Sequence, residues 1–270
     1  MIAVTYAAGA TSVHRRLSHD FGQKLRRDWI MNNAAIASTT RFSGLLLSIV
    51  LAACVTAAPD YRAILSHAER PENERQLDAA RKPEQVLPFY GVKRGDRVAD
   101  LLAGRGYYTV ILAQIVGPEG IVYSTNTRER DDWSGRFKQA PFTNVRTVVG
   151  PMEKIGLPQD GSLDFALTHL NYHDLSRDVR MGMNRRVLAA LKKGGVYGVV
   201  DHSARDGSGD SDSKTLHRID KQLVIKEVTE AGFRLAEEGT MLRRPDDKRD
   251  FNVNKIRNQN ERFVLKFLKP

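Results

Sequence analysis

Residues 98–109, VADLLAGRGYYT, constrain the fold more than any other part of the chain. An apolar run ends in an acid, Asp100. A glycine-bearing turn follows, and then Tyr108, Ile111, Leu112, Ile115 and Val116 recur at helical spacing. That order of parts predicts a buried first strand, a tight turn and an amphipathic helix. Glycine in such a turn lets the backbone approach a ligand closely, because a Cβ would collide with it. The helix start leaves backbone N–H groups that favour a carboxylate or phosphate. The dinucleotide fingerprint G-x-G-x-x-G is not met, since Gly104-Arg105-Gly106 has no glycine three residues later.

The same alternation continues downstream. The turn Gly117-Pro118-Glu119-Gly120 precedes a second strand at 121–124, and residues 145–149 read as a third. A fourth strand is expected at 163–168, a helix at 177–191, and a fifth, buried strand at 196–200. Lys192-Lys193-Gly194-Gly195 carries the cations and glycine of a helix end. A final strand at 262–267 completes the series. Strands and helices in this order imply an α/β, three-layer sandwich.

An acid four residues before a G-x-G resembles the first motif of the class I S-adenosylmethionine-dependent methyltransferases, commonly D/E-x-G-x-G-x-G. Asp100 stands for the acid, Gly104 and Gly106 for the last two glycines, and Leu102 replaces the first. The run LKKGGVYGVVD at 191–201 is similar to the family's turn and fifth strand. The resemblance covers residues 83–270. It implies a Rossmann-like sandwich with a mostly parallel seven-stranded sheet ending in an antiparallel hairpin. It also implies S-adenosyl-L-methionine as cofactor and an unidentified small-molecule methyl acceptor. Carried over residue by residue, the cofactor would meet Asp100, Ala103, Gly104, Gly106 and Tyr107 at the first turn. Asn126 takes the place of the ribose acid and Met152 a place beside the adenine, with His169 and Asn171 at the mouth past the fourth strand. Leu102, Asn126 and Pro151 depart from the family pattern. Two other functions therefore stand beside methyl transfer: a lipid-anchored binding protein that kept the fold, and an envelope enzyme using histidines without this cofactor.

Thr168-His169-Leu170-Asn171-Tyr172-His173-Asp174 lies just past the fourth strand, and Asp201-His202 past the fifth. Ligands of open α/β sheets bind beyond the carboxyl ends of the strands, so both clusters are expected at one pocket. Imidazole and carboxylate are the groups for proton transfer near neutral pH. His173, Asp174, Asp201 and His202 are therefore the candidate catalytic residues, with His173 as the base. Asp174 has a second reading as a cap for the following helix, and His217-Arg218 one as a solvated helical face. No metal is expected. The Asn171-Tyr172-His173-Asp174 stretch resembles a group of predicted envelope-targeted methyltransferases.

The net charge of +10 does not make this a nucleic-acid binder. Beyond residue 53 there are 36 Lys/Arg against 30 Asp/Glu, interspersed and without an aromatic–basic stripe. The apolar segment at 45–53 is short of the roughly 20 residues that span a bilayer, but it has the length of a signal-peptide core. It ends in Leu51-Ala52-Ala53-Cys54, which resembles the bacterial lipoprotein box, and Cys54 is the sole cysteine. Residues 1–30 are expected to be an upstream extension, 31–53 a signal peptide, and 54–82 a tether with lead-in helices. Cys54 is then a lipidation site. The expected location is the cell envelope, lipid-anchored or periplasmic, and the cytoplasm if there is no export.

Overall fold

A computed structural model describes residues 58–270 apart from Gln139. The expected extension, signal peptide and lipidated Cys54 lie outside the described residues.

Four short helices come first: α1 (Tyr61–Leu65), α2 (Glu72–Arg75), α3 (Asp78–Arg81) and α4 (Pro83–Tyr90). The alternating part runs β1 (Arg97–Leu101), α5 (Tyr107–Val116), β2 (Ile121–Asn126), α6 (Asp131–Ser134), β3 (Val145–Val149), β4 (Leu163–His169), α7 (Arg177–Ala190), β5 (Leu191–His202), α8 (Lys221–Glu230), β6 (Arg234–Gly239) and β7 (Arg262–Leu268). The strands form one seven-stranded sheet in the order β3-β2-β1-β4-β5-β7-β6. Strands β1 to β5 pair in parallel, and β7 runs antiparallel to both β5 and β6. The order reverses between β1 and β4, which is where open sheets of this kind bind ligands. The Rossmann-like sandwich and its final hairpin are as expected.

One face of the sheet packs Val98, Val122 and Phe165 against α4 and α5; the other packs Leu101, Ala166 and Val199 against α7 and α8. Two features differ from expectation. Helix α5 is buried nearly all round, not on one side, because Ile64 of α1 and Trp133, Phe137 and Phe142 cover its outer face. Helix α7 ends at Ala190, and Leu191 already pairs with Leu163. The Lys-Lys-Gly-Gly run is therefore an excursion within β5, after which pairing resumes at Val196 with Phe165.

The lead-in helices before residue 83 are tied to the turn after β1. Arg70 is fully buried and its guanidinium binds Asp78 at 2.5 and 2.8 Å. Tyr107, the first residue of α5, donates its hydroxyl to the same carboxylate at 2.6 Å. This network holds α2 and α3 over the turn that follows β1.

Candidate active site

A cavity of about 450 Å³ opens at the β1/β4 reversal. Asp100, Leu102, Ala103, Gly104 and Tyr107 line it from the first strand–turn–helix unit, and His169 and Asn171 from the end of β4. Asn73, Glu74, Leu77 and Arg81 close it from α2 and α3, Tyr108 from α5, and Arg257 from the loop before β7. The resemblance thus located one half of the wall. It missed the half supplied by the short helices, whose sequence carries no motif and which reach the cavity only through tertiary packing.

The turn is shaped by three left-handed residues. Leu102 has φ +55°, Gly104 +62° and Gly106 +91°. The two glycines differ in purpose. A Cβ on Gly104 would meet nothing within 4 Å, so its bare backbone faces open space. A Cβ on Gly106 would lie 2.5 Å from Cζ of Phe137, so this glycine serves close packing at the start of α5, and it does not line the cavity. Leu102 occupies the place of the missing glycine yet keeps a glycine-type conformation, with its N–H bonded to Thr125 Oγ1 at 3.2 Å and its side chain on the core.

Asn126 does not line the cavity. Its amide accepts from the Gly104 N–H and donates to the Gly104 carbonyl, each at 3.0 Å, which uses both of its ends on the turn. Met152 is also misplaced by the sequence reading. It is buried in the core beside α7 and is absent from the cavity wall.

Asp100 is buried, and Thr109 Oγ1 donates to it at 2.6 Å. Thr109 in turn shares a 2.7 Å contact with Ser124 Oγ, to which the Trp133 indole donates at 2.9 Å. Removal from water pushes the Asp100 carboxyl up to about 7, against the lowering effect of the Thr109 bond. His169 is buried beside Tyr108, ring centroids 4.7 Å apart. Burial first, and then the Arg81 and Arg262 charges, hold the imidazole well below its usual range, so it is neutral. Its Nε2 and the Tyr108 hydroxyl are buried without a hydrogen-bond partner among the described residues. The Arg81 guanidinium stacks 4.3 Å from the Tyr107 ring centroid. Asn171 donates to the carbonyls of Leu102 at 3.1 Å and His169 at 2.9 Å, joining the two halves of the cavity rim.

The proposed catalytic histidine is elsewhere. Neither His173 nor His202, Asp174 or Asp201 lines the cavity. His173 Nδ1 meets Asp201 Oδ1 at 2.7 Å and its Nε2 meets Asp174 Oδ1 at 3.2 Å. Burial alone would depress its basicity, but the Asp201 and Asp174 charges and bonds outweigh that and raise it to about 10. A ring that is already protonated cannot serve as a general base near pH 7. Asp201 accepts from the backbone N–H groups of His173 and His202 and so ties β5 to the turn after β4. His202 is buried and bonded through Nδ1 to Asn260. Asp174 caps no helix, lying instead in the turn Tyr172–Asp174. Arg218 is no solvated group: it is fully buried and paired with Asp247 at 2.8 Å.

No protein-family model matches the chain. A segment of 79 residues is 34% identical to a protein-L-isoaspartate O-methyltransferase of Ignicoccus hospitalis, covering 27% of this chain and 35% of that protein. The chain thus spans about a third of the length of that curated relative. Among solved structures, an S-adenosylmethionine-dependent methyltransferase from Aquifex aeolicus superposes with a TM-score of 0.55 at 20% identity, over 74% of this chain and 99% of that one. The geranyl diphosphate C-methyltransferase of Streptomyces coelicolor, solved with S-adenosyl-L-homocysteine, gives 0.56 at 14% identity over 77% and 88%. The fold is that of the class I methyltransferases.

Proposed function

We propose that this protein is an S-adenosylmethionine-dependent methyltransferase acting on a small-molecule acceptor. The observation that carries this reading is the cavity at the β1/β4 reversal, where the bare Gly104 backbone and the buried Asp100 carboxylate face one space. Those residues fit the cofactor's cationic amino-acid end: Gly104 permits close backbone approach, and Asp100 offers a charge to an ammonium. The Arg81 guanidinium, with no hydrogen-bond partner among the described residues, suits a carboxylate. When bound, the cofactor supplies an electrophilic methyl group on a sulfonium. The cavity's task is then to hold the acceptor in line with that methyl, and positioning supplies much of the acceleration. An oxygen or nitrogen acceptor must also lose a proton; His169 is the neutral imidazole of the cavity wall, and its depressed basicity suits it to accept a hydrogen bond from the acceptor, not to keep the proton. Calorimetry of the full chain with S-adenosylmethionine and S-adenosylhomocysteine tests the reading. Saturable one-to-one binding of both is expected, and the absence of binding by either overturns it.

We further propose that the chain is exported and anchored through Cys54. The support is sequence alone: an apolar run ending in small residues before the sole cysteine. No described helix is long and apolar enough to cross a membrane. Labelling cells with a palmitate analogue should mark the wild type and miss Cys54→Ser; equal labelling of the two defeats the proposal.

A further inference from the structure

A second cluster lies past the ends of β4 and β5, made of side chains that the cavity does not use. His173 and Asp174 stand in the turn after β4, and His217 in the loop before α8. We propose that His173 Nε2, an Asp174 carboxylate oxygen and His217 Nδ1 form a binding site for a divalent transition-metal ion of the zinc class. The proposal is independent of methyl transfer.

Spacing is the first argument. The three ligand atoms lie within 4.8 Å of one another. Asp174 Oδ1 is 3.2 Å from His173 Nε2 and 3.4 Å from His217 Nδ1. Charge-assisted hydrogen bonds are shorter, about 2.7–2.9 Å. Two ligands each about 2.0–2.1 Å from a tetrahedral zinc ion stand about 3.3–3.4 Å apart. The two long contacts match that edge, while the His173–Asp201 contact at 2.7 Å does not. The second argument is that outer contact. A metal-binding histidine usually gives its other ring N–H to a carboxylate, which fixes the ring and its tautomer. Asp201, fully buried and also held by the His173 backbone N–H at 2.8 Å, stands in that relation to His173 Nδ1.

The backbone supplies a third. His217 has φ +55°, a left-handed conformation that is costly for a residue with a Cβ. Such strain persists only where the surrounding structure imposes it, as it does at ligand clamps. Here it turns the imidazole toward Asp174. Finally, the site is open on one side. The His173 side chain is 4% exposed, but those of His217 and Asp174 are 32% and 53% exposed. An ion has a path in from solvent, and a fourth position remains for water or an anion, as in zinc sites with three protein ligands. On binding, the Nε2 proton of His173 leaves to solvent and its lone pair goes to the metal.

The test is titration of the full chain with Co²⁺ as a spectroscopic substitute for zinc, followed by displacement with Zn²⁺. One equivalent of Co²⁺ should give intense visible bands of low coordination number, and Zn²⁺ should abolish them. His217→Gly removes a ligand while relieving the positive φ, and Asp174→Asn alters an exposed side chain, so both variants should fold. Each should weaken Co²⁺ binding at least tenfold. Asp201→Asn should weaken it by about 10–100-fold while leaving the stoichiometry intact. Absence of saturable one-to-one Co²⁺ binding, or equal affinity in wild type, His217→Gly and Asp174→Asn, overturns the assignment.

Discussion

Asn126 and Gly104 are joined edge to edge: the glycine N–H donates to the Asn126 amide oxygen and the amide nitrogen donates back to the glycine carbonyl, both at 3.0 Å. A side chain at the end of β2 thereby sets the shape of the turn after β1. Asn126→Ala should leave both backbone groups without these partners, at a cost of about 1–3 kcal/mol. S-adenosylmethionine binding should weaken about tenfold, measured by calorimetry beside the wild type. Unaltered affinity would show that the turn holds its shape without Asn126.

The two glycines of the turn should separate by experiment. Gly106→Val forces a methyl-bearing carbon onto the Phe137 ring, so it should lower the melting temperature sharply. Gly104→Ala places its methyl in open space, though at a left-handed φ. It should fold with a modest loss of stability and lose most cofactor affinity. Thermal melts paired with binding titrations distinguish the two, and an opposite ranking would reverse the assignment of the cavity-facing glycine.

Leu102 carries a side chain at φ +55°. Leu102→Gly gives up core contact but relieves the left-handed strain, whereas Leu102→Ala gives up contact and keeps the strain. The glycine variant should therefore be the more stable of the two, by about 1 kcal/mol. Chemical denaturation of both variants checks the order.

Asp100 makes binding and stability depend on pH. Its folded value near 7 lies above the roughly 4 of an unfolded aspartate. Between those values the folded chain keeps a proton that the unfolded chain has lost, so stability falls as pH rises through the window. The melting-temperature advantage of Asp100→Asn over wild type should therefore grow from pH 5 to pH 8. Cofactor affinity of the wild type should move the other way, rising through pH 7 as the carboxylate ionises to meet a cation. A pH-independent affinity would remove Asp100 from the binding site.

His169 should be the histidine that matters for turnover. It lines the cavity and its Nε2 has no hydrogen-bond partner among the described residues, while both ring nitrogens of His173 are engaged by carboxylates. Loss of its hydrogen bond to the acceptor in His169→Ala should lower the methylation rate by roughly tenfold with cofactor affinity nearly unchanged. A normal rate in that variant would show that His169 makes no such bond.

Local pattern made the frame legible. The alternation of apolar strands and helices predicted an α/β three-layer sandwich, and Asp100 followed by Gly104 marked the turn at its centre. These are properties of neighbours in the chain, because strand and helix periodicity and turn chemistry act over a few residues. The partners of each side chain were not legible. Asn126 sits at the strand end where a ribose ligand was expected, and the turn uses both of its amide ends. His173 lies past β4, where a base was expected, but β5 brings Asp201 against it and the ring is held charged. Arg81 and Tyr108 carry no motif; helix α3 swings the one, and the burial of α5 the other, into the cavity. Sequence determined which groups stand at the mouth of the sheet. Tertiary packing decided which of them are engaged by carboxylate or backbone and which face open space, because those outcomes depend on distances between residues far apart in the chain.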